Sequence, residues 1–368
     1  AILAPAVHPE AGHELRSDVF VGLDVGDRKT HACVLDESRN VIARFAFATE
    51  RVRLRDALFP YRGSRLVLEV GPQSPWMSDF LRKLGFDVIV ADARKVAAFT
   101  KAGRKTDRRD AETLARLLQG MPEMLGSVHH RSEVAQADLA VIRAREALVE
   151  ARARLVQHVR STLKVQGIKV KPCATESFHR HAAEAIPRSY ERALRRLVGQ
   201  IEQMTGEIRR YDRELESLAE ERRPLASRLR AIHGVGPVTS MAFLLTVDDP
   251  ARFEKSRDVG AWLGLCPRIQ ASGDSNPELS ISKTGCPYLR RVLVQSAQYI
   301  LGPFGKDCDL RRFGEAIAAR GGKAAKRRAV IAVARKLAVL MHRLLVSEEP
   351  YDPFYIAKRR GEAVPEAE

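Results

Sequence analysis

The chain has 368 residues, 45% of them hydrophobic, and its 62 Lys and Arg against 46 Asp and Glu give a formal net charge of +16. This length suits two or three globular domains, and the excess of cations predicts a polyanionic partner, with nucleic acid favoured over a membrane surface. No apolar run reaches the roughly 18 residues of a spanning helix, and residues 1–18 lack the apolar core of a secretory signal. We therefore expect a flexible leader over residues 1–18, no membrane partner and a cytosolic protein.

Residues 19–125 combine strand and helix patterns. Alternating apolar residues over 19–25, 30–36 and 41–48 predict three antiparallel strands, with a hairpin turn at residues 36–40. The patterns that follow predict a helix near 51–59, a strand ending at Glu69, a helix opened by Ser74-Pro75, a strand over 87–91 and helices on both sides of residue 104. A meander followed by β-α-β-α is the order of a ribonuclease H-like α/β domain.

Four acids in this region are candidate metal ligands. Asp24 and Glu69 lie in apolar, β-branched runs that predict buried strands, where a carboxylate is costly unless it is paired or bound to a metal. Asp107 and Asp110 are three residues apart and share one face of a helix. Together they would suit divalent cations and two-metal phosphoryl transfer. The competing interpretation is a solvated helix start paired with adjacent arginines.

Three other acids compete for these roles, and each is more easily explained by a turn or a strand end: Asp27, Asp36 and Asp92.

Residues 130–223 predict a coiled-coil region. In its first half a seven-residue repeat contains Val134, Val141, Leu148 and Leu155, followed at three-residue distance by Ala137, Ala144 and Ala151. In its second half a 3-4 spacing joins Leu194, Leu197, Ile201, Met204, Ile208, Tyr211, Leu215 and Leu218. Two arrangements would bury these seams, a dimerisation stalk, which we favour slightly, and a helical pair within one chain.

Residues 224–347 predict a mostly helical C-terminal domain, followed by a polar tail over 348–368. Two helical patterns are joined through Gly234 and Gly236, as in a helix-hairpin-helix, whose turn offers backbone N–H groups to phosphates. A plain corner between two helices explains the same pattern. Between residues 263 and 291 small, flexible and cationic residues cluster without a core pattern, which indicates a loop able to present a serine hydroxyl beside phosphate-binding cations. The competing interpretation is that these serines only turn the chain.

The ordered motifs resemble the DEDD transposases of insertion sequences, the bridge-RNA-guided recombinases. The motifs are Leu-Asp-Val-Gly, Leu-Glu-Val-Gly, Lys-Thr-Asp-x-x-Asp-Ala, a coiled-coil insert, Ile-x-Gly-Val-Gly, Gly-Leu-x-Pro-Arg, Ser-Gly and Lys-x-Gly-x-x-x-Leu-Arg-Arg, over residues 19–347. By this resemblance Asp24, Glu69, Asp107 and Asp110 match the acidic tetrad of a RuvC-like domain, and Ser272 matches the nucleophilic serine of the C-terminal transposase domain. Many family members read Glu-Ala-Thr-Gly where this chain has Glu69-Val70-Gly71-Pro72, so a hydroxyl beside that carboxylate is absent here. Three nearby serines compete with Ser272: Ser275, Ser280 and Ser282.

The resemblance implies a Mg²⁺-dependent transposase whose guide RNA recognises target and donor DNA by base pairing. It also implies a dimer or tetramer, located in the bacterial or archaeal cytosol and associated with the nucleoid. Two Mg²⁺ ions would be held by the tetrad, and Ser272 would form a covalent link to DNA. The cations expected to contact nucleic acid are Arg104, Lys105, Arg108, Arg109, Arg268, Lys283, Arg290 and Arg291, besides the two hairpin glycines.

Two other functions fit the same composition. A Holliday-junction-type endonuclease would use a metal-activated water and leave Ser272 as a loop residue. A non-catalytic nucleic-acid scaffold would use the carboxylates as ordinary ion-pair partners. A covalent protein–DNA adduct distinguishes the recombinase from both.

Overall fold

The computed structural model describes residues 16–100, 107–269, 279–347 and 349–364. The chain divides into two compact units, Ala1–Arg131 and Ser132–Glu368.

The described part of the first unit is built on one mixed sheet. Its strands are β1 (Arg16–Val25), β2 (Lys29–Leu35), β3 (Val41–Ala48), β4 (Ser64–Glu69) and β5 (Asp87–Ala91). Their order across the sheet is β3-β2-β1-β4-β5; β1 to β3 are antiparallel, β4 is parallel to β1, and β5 is parallel to β4. The predicted meander and both later strands are confirmed.

Helices cover the two faces of this sheet: α1 (Arg51–Leu58), α2 (Ser74–Lys83), α3 (Ala93–Thr100) and α4 (Asp107–Gly120). Because side chains alternate along a strand, each strand contributes to both layers. Leu23 and Leu68 belong to the core that contains residues of α1 and α2, whereas Val67 packs with residues of α3 and α4 on the other face. On β1 and β4, side chains thus alternate between the layer of α1 and α2 and the layer of α3 and α4.

The described part of the second unit is helical. Its helices are α5 (Glu133–Val165), α6 (Phe178–Ala185), α7 (Glu191–Arg222), α8 (Leu225–Arg230), α9 (Pro237–Val247), α10 (Asp258–Trp262), α11 (Pro287–Ile300), α12 (Asp309–Ala318), α13 (Gly322–Ser347) and α14 (Tyr355–Arg359). Helices α5 and α7 pack against each other as an antiparallel hairpin. Polar contacts fix their alignment, since Arg145 Nε donates to Asp212 at 2.6 Å and Arg152 donates to Thr205 at 3.1 Å.

The partner of the predicted apolar seams lies in the same chain. Leu194, Ile201, Ile208 and Leu215 of α7 are all buried in this monomer. The helical pair therefore accounts for their burial, and the seam does not require the dimerisation stalk that the spacing had slightly favoured.

The seam predicted on α5 is wrong by one residue. Val134 is 57% exposed, whereas the buried positions are Ala135, Ile142, Val156 and Leu163. The register differs because α7 selects the face of α5, and because that face also buries polar side chains such as Asp138 and Arg152. A search for apolar repeats passes over such positions.

The base of the hairpin and the C-terminal helices share one core. Leu139 and Leu215 pack with Leu229, Phe243 and residues of α11 and α13. The expected division at residue 223 is therefore not a boundary between compact units. None of the described helices is long and apolar enough to cross a membrane.

Candidate active site

The first two predicted acids stand side by side at the ends of neighbouring strands. In the parallel pairing of β1 with β4, Leu23 lies opposite Leu68, so the next residues are Asp24 and Glu69. Adjacent strands are about 4.8 Å apart, and equivalent residues of parallel strands point to the same face. That face is the α4 side, opposite to Leu23 and Leu68. Both acids are half-buried there.

Helix α4 approaches this face through a glycine. A Cβ atom on Gly22 would overlap the carbonyl oxygen of Ala111 and would lie 2.5 Å from the nitrogen of Ala115. Since Gly22 and Asp24 are two residues apart on β1, they share the face that α4 covers. Asp110 immediately precedes Ala111, and therefore lies beyond Gly22 towards the ends of the strands.

Three of the four predicted acids line one cavity. Asp24, Glu69 and Asp110 contribute to a pocket of about 260 Å³, together with the loop from Val70 to Ser74 and two alanines of α3. The fourth acid, Asp107, is the first residue of α4, one turn before Asp110, and its side chain is outside the described part of the structure. The backbone thus brings all four sequence positions to the side of the sheet where β1 and β4 end.

Asp27 also lines this pocket, although the sequence indicated only a turn residue. It is the second residue after β1 and is exposed. The other two competing acids have local structural roles. Asp36 accepts hydrogen bonds from the backbone and side chain of Asn40 in the predicted turn, and Asp92 accepts from the backbone N–H of Arg94 at the start of α3.

The donor atoms of the pocket suit Mg²⁺, which prefers carboxylate oxygens and retains several waters. Within the described residues, no group of three Asp, Glu, His or Cys side chains is close enough to share one metal ion. The Asp107 carboxylate is outside that set. Asp24, Glu69 and Asp110 thus bring carboxylate oxygens to one pocket, and the described residues alone do not form a three-ligand cluster.

The next acid along α4 is excluded from such a role. Glu112 accepts a hydrogen bond from Arg44 at 2.6 Å and further bonds from Arg116. The hydrogen bond from Arg44 is the main cause that lowers the pKa of Glu112. Cations of β3 and α4 thus satisfy this carboxylate.

A buried hydroxyl stabilises the loop that follows Glu69. Ser74 Oγ donates to the carbonyl of Gly71 at 2.8 Å and accepts from the backbone N–H of Gly71 at 3.0 Å. Nε2 of His130 lies 2.9 Å from the same oxygen. Because the Ser74 proton is used on Gly71, His130 Nε2 is the donor in this pair. Sequence reasoning treated Ser74 only as a helix start and so missed this hydroxyl in the pocket wall.

Burial lowers the pKa of His130, with further lowering from Arg82, Arg131 and His129. The neutral imidazole is therefore favoured, which agrees with its role as a donor through Nε2.

The predicted nucleophile Ser272 lies outside the described residues, as does Ser275. The two chain segments that flank this loop are joined by backbone hydrogen bonds, from Arg268 N to Ser280 O at 3.1 Å and from Ser282 N to Cys266 O at 2.9 Å. Pro267 and Ile281 form the bridge between them.

Two glycines explain the motifs on either side of the serine loop. Gly264 has φ +67° and a Cβ there would overlap the backbone of Thr284, while Gly285 has φ +72° and lies against the carbonyl of Trp262. Arg290 donates to the carbonyls of Leu263 and Thr284 at 2.8 and 2.6 Å. These residues hold the base of the loop in one conformation.

The predicted nucleic-acid cations have different environments. Arg290 is engaged by the two carbonyls, and Arg291 is paired with Glu146 and with Glu150. This geometry favours structural roles for both, so their predicted phosphate contacts have no support here. Arg109 and Lys283 are exposed, and Arg268 donates to Ser280 Oγ at 3.3 Å. The remaining ones, Arg104, Lys105 and the side chain of Arg108, are outside the described residues.

Helices α8 and α9 flank the predicted glycine turn. Gly234 has φ +89°, and a Cβ there would lie 2.9 Å from Ile300 of α11. Gly236 is exposed and precedes Pro237, the first residue of α9. Gly234 is thus required for packing, and Gly236 is the one that an external phosphate could approach.

Comparison with known proteins gives two family matches. Residues 21–166 match a transposase family model, the IS110 DEDD transposase, and residues 226–305 match the transposase family IS116/IS110/IS902. The transposase of insertion sequence element IS1328 from Yersinia enterocolitica is 30% identical over 286 residues, covering 76% of this chain and 83% of that protein.

Two further relatives extend this comparison. The transposase of element IS1111A from Coxiella burnetii is 26% identical over 343 residues, covering 90% of this chain and 91% of that protein. A pilin gene-inverting protein from Moraxella lacunata is 28% identical over 128 residues, 34% of this chain and 38% of that protein.

Proposed function

Because the chain belongs to the IS110 family of insertion-sequence transposases, we propose that it is a site-specific DNA recombinase with a serine nucleophile. In this proposal Asp24, Glu69, Asp107 and Asp110 hold Mg²⁺, and Ser272 forms a covalent link to the DNA strand. The sheet order and the helix α4 across it support assignment of the first unit to the RuvC-like, ribonuclease H-like fold.

The observation that carries the proposal is the shared pocket of three carboxylates. Asp24, Glu69 and Asp110 come from two strands and a helix that are far apart in sequence, and they line one cavity. Like charges at close range raise each other's energy, and a bound cation offsets this cost. Their common location in one cavity, two at the ends of adjacent parallel strands and one on α4, supports a cation site.

The chemistry conserves the energy of the phosphodiester bond. Bound at these carboxylates, Mg²⁺ would polarise the scissile phosphate and lower the pKa of a hydroxyl near it. Ser272 Oγ gives up its proton and forms a bond to phosphorus, the bond from phosphorus to one deoxyribose oxygen breaks, and that oxygen takes up one proton in exchange. Attack by a deoxyribose hydroxyl on the phosphoserine reverses these steps, so rejoining needs no external energy source.

A guide RNA that pairs with DNA would supply sequence recognition, while the protein binds backbone and shape. The net charge of +16 and the low aromatic content of 6% support a protein that contacts phosphates more than bases. A dimer or tetramer remains part of the proposal, although the seam of α7 lends it no support.

Substitution of the pocket acids tests the proposal. Asp24→Asn and Glu69→Gln should each abolish Mg²⁺-dependent cleavage of element-end DNA, because each removes a ligand charge. Asp36→Asn and Glu112→Gln are matched controls from the same unit and should keep cleavage. Mg²⁺ should raise the melting temperature of the wild type and of both controls, but not of the two pocket variants.

Full cleavage by Asp24→Asn or by Glu69→Gln would contradict the assignment. Loss of cleavage in the controls as well would indicate a general effect of charge on the unit and would also count against it.

A further inference from the structure

A large groove lies in the C-terminal part of the second unit, apart from the acidic pocket. Its volume is about 980 Å³, and its walls are α13, the start of α12, the chain at 351–356 and the bridge between Pro267 and Ile281. This bridge joins the two segments that flank the serine loop. The groove therefore begins at the described base of that loop.

The groove combines an apolar floor with a cationic border. Leu265, Phe313 and Leu340 are among the apolar residues that line it. Six cations are among its described lining residues: Arg268, Arg327, Arg328, Arg335, Lys336 and Arg343. This combination suits a ligand that is both apolar and anionic.

The two carboxylates of the groove have partners within the chain. Asp309 accepts from the backbone N–H groups of Ile356 and Ala357 at 2.6 and 3.2 Å, and Asp352 pairs with Lys358 at 2.8 Å. Among the described lining residues Arg343 is paired with Glu349 at 3.6 Å, and the other five cations outnumber the two carboxylates, so this lining is positive. Charge complementarity calls for a polyanion.

One face of α13 carries both kinds of residue. Arg328, Arg335 and Arg343 recur at seven- and eight-residue spacing, with Ile331 and Val339 between them, and all five line the groove. The ammonium of Lys336, on the same face, lies 3.8 Å from the centre of the Phe313 ring. Burial lowers the pKa of Lys336, and Arg360 lowers it further, while Asp309 raises it. An anion in the groove would stabilise this partly desolvated cation.

An unpaired nucleic-acid strand fits this surface better than a duplex. In a duplex the bases are stacked inside, so a protein meets the sugar-phosphate backbone and the base edges but not the apolar base faces. An unpaired strand exposes the apolar faces of its bases along one side and its phosphates along the other, and proteins bind such strands in cationic grooves with apolar or aromatic floors.

We propose that this groove binds unpaired nucleotides of the DNA strand next to the phosphate that the serine loop attacks. The proposal rests on the proposed function, since strand exchange separates DNA strands close to that phosphate. It adds a second DNA contact in the C-terminal domain, made by α13 rather than by the hairpin of α8 and α9.

Two double variants of α13 provide a matched test. Arg327→Gln with Arg335→Gln removes two exposed cations that line the groove. Lys323→Gln with Lys326→Gln removes two exposed cations from the same helix that do not line it. Both lower the net charge of the full-length chain equally, and circular dichroism and thermal melting establish that both fold.

Binding is measured with an oligo-dT strand of about 20 nucleotides, in excess unlabelled duplex DNA to occupy general cationic surface. The groove variant should bind oligo-dT about tenfold more weakly than the control variant, which corresponds to about 1.4 kcal/mol. Its salt slope should also be smaller by about 1.4, because each phosphate contact on a single strand contributes about 0.7. Oligo-rU, a duplex of the same length and poly-glutamate are the comparison probes.

Equal affinity of the two double variants for oligo-dT would overturn the proposal. A tenfold difference seen only with oligo-rU would assign the groove to RNA, and an equal loss with poly-glutamate would reduce it to a general anion surface; either result rejects it. Adduct formation by the wild type is assayed in the same preparation. If the adduct forms while the two double variants bind oligo-dT with equal affinity, only the groove proposal fails. Absence of any adduct contradicts the proposed function itself.

Discussion

Gly22→Ala would test the contact that places α4, and with it Asp110, over the ends of β1 and β4. The added Cβ would overlap Ala111 O and lie 2.5 Å from Ala115 N, both backbone atoms that cannot move without the helix. Overpacking of this kind costs about 1–3 kcal/mol. Because both clashing atoms are backbone, the cost lies in the upper part of this range, about 2–3 kcal/mol. Replacing a strand glycine by alanine otherwise stabilises by up to about 1 kcal/mol, so we expect a net loss of roughly 1–2 kcal/mol.

Fluorescence allows the first unit to be followed alone, because the chain has two tryptophans, Trp76 in α2 and Trp262 in α10. In a Trp262→Phe background only Trp76 reports, and urea unfolding then monitors the unit that contains Gly22. With a slope near 2 kcal/mol per molar urea, the midpoint should fall by about 0.5–1 M. Cleavage should fall as well, since displacement of α4 moves Asp110.

Gly71→Ala is the control, because Gly71 lines the same pocket and a Cβ there has nothing within 4 Å. It should leave the free energy of unfolding within about 0.5 kcal/mol of the wild type. A Gly22→Ala variant that is as stable as the wild type and fully active would refute the placement of α4 against β1.

Two further predictions concern the helical hairpin and His130. Ile208→Glu should lower the stability of the second unit by about 3 kcal/mol or more, because it buries a charge in the contact between α5 and α7. Trp262 fluorescence in a Trp76→Phe background measures this loss. An unchanged unfolding midpoint together with altered sedimentation would favour a dimer seam instead. For His130, the folded-state pKa is lowered, so below about pH 6.5 the unfolded chain takes up the proton first and stability should fall as pH falls. Urea midpoints at neutral and mildly acidic pH should show a smaller drop in His130→Asn, and an identical drop would contradict the burial that lowers the pKa of His130.

The sheet and the acids that it positions were predictable because their signals are local. Alternation along β1, β2 and β3 is read directly from the chain, and an acid at the end of an apolar strand is unusual enough to mark Asp24 and Glu69. The N-terminal end of α4 is likewise marked by two acids one turn apart. What the sequence lacked was the contact of Gly22 with Ala111, which brings the helix to the strands.

The remaining differences depend on partners distant in sequence. The burial of Ala135 and exposure of Val134 are decided by α7, and no repeat within α5 encodes that choice. Ser74 and His130 are 56 residues apart, so their hydrogen bond leaves no spacing to detect. The sequence does not distinguish Arg291 from the other cations near it, because its partner Glu146 lies on α5, far away in the chain.

The most direct test of the central claim is a covalent protein–DNA adduct that survives denaturant. Wild-type protein with Mg²⁺ and element-end DNA should give such an adduct on a denaturing gel, and mass spectrometry should locate the phosphodiester on Ser272. Ser272→Ala should bind DNA but form no adduct, whereas Ser275→Ala, Ser280→Ala and Ser282→Ala should still form it. Cleavage by Ser272→Ala at the wild-type rate would contradict the account, because water would then be the nucleophile.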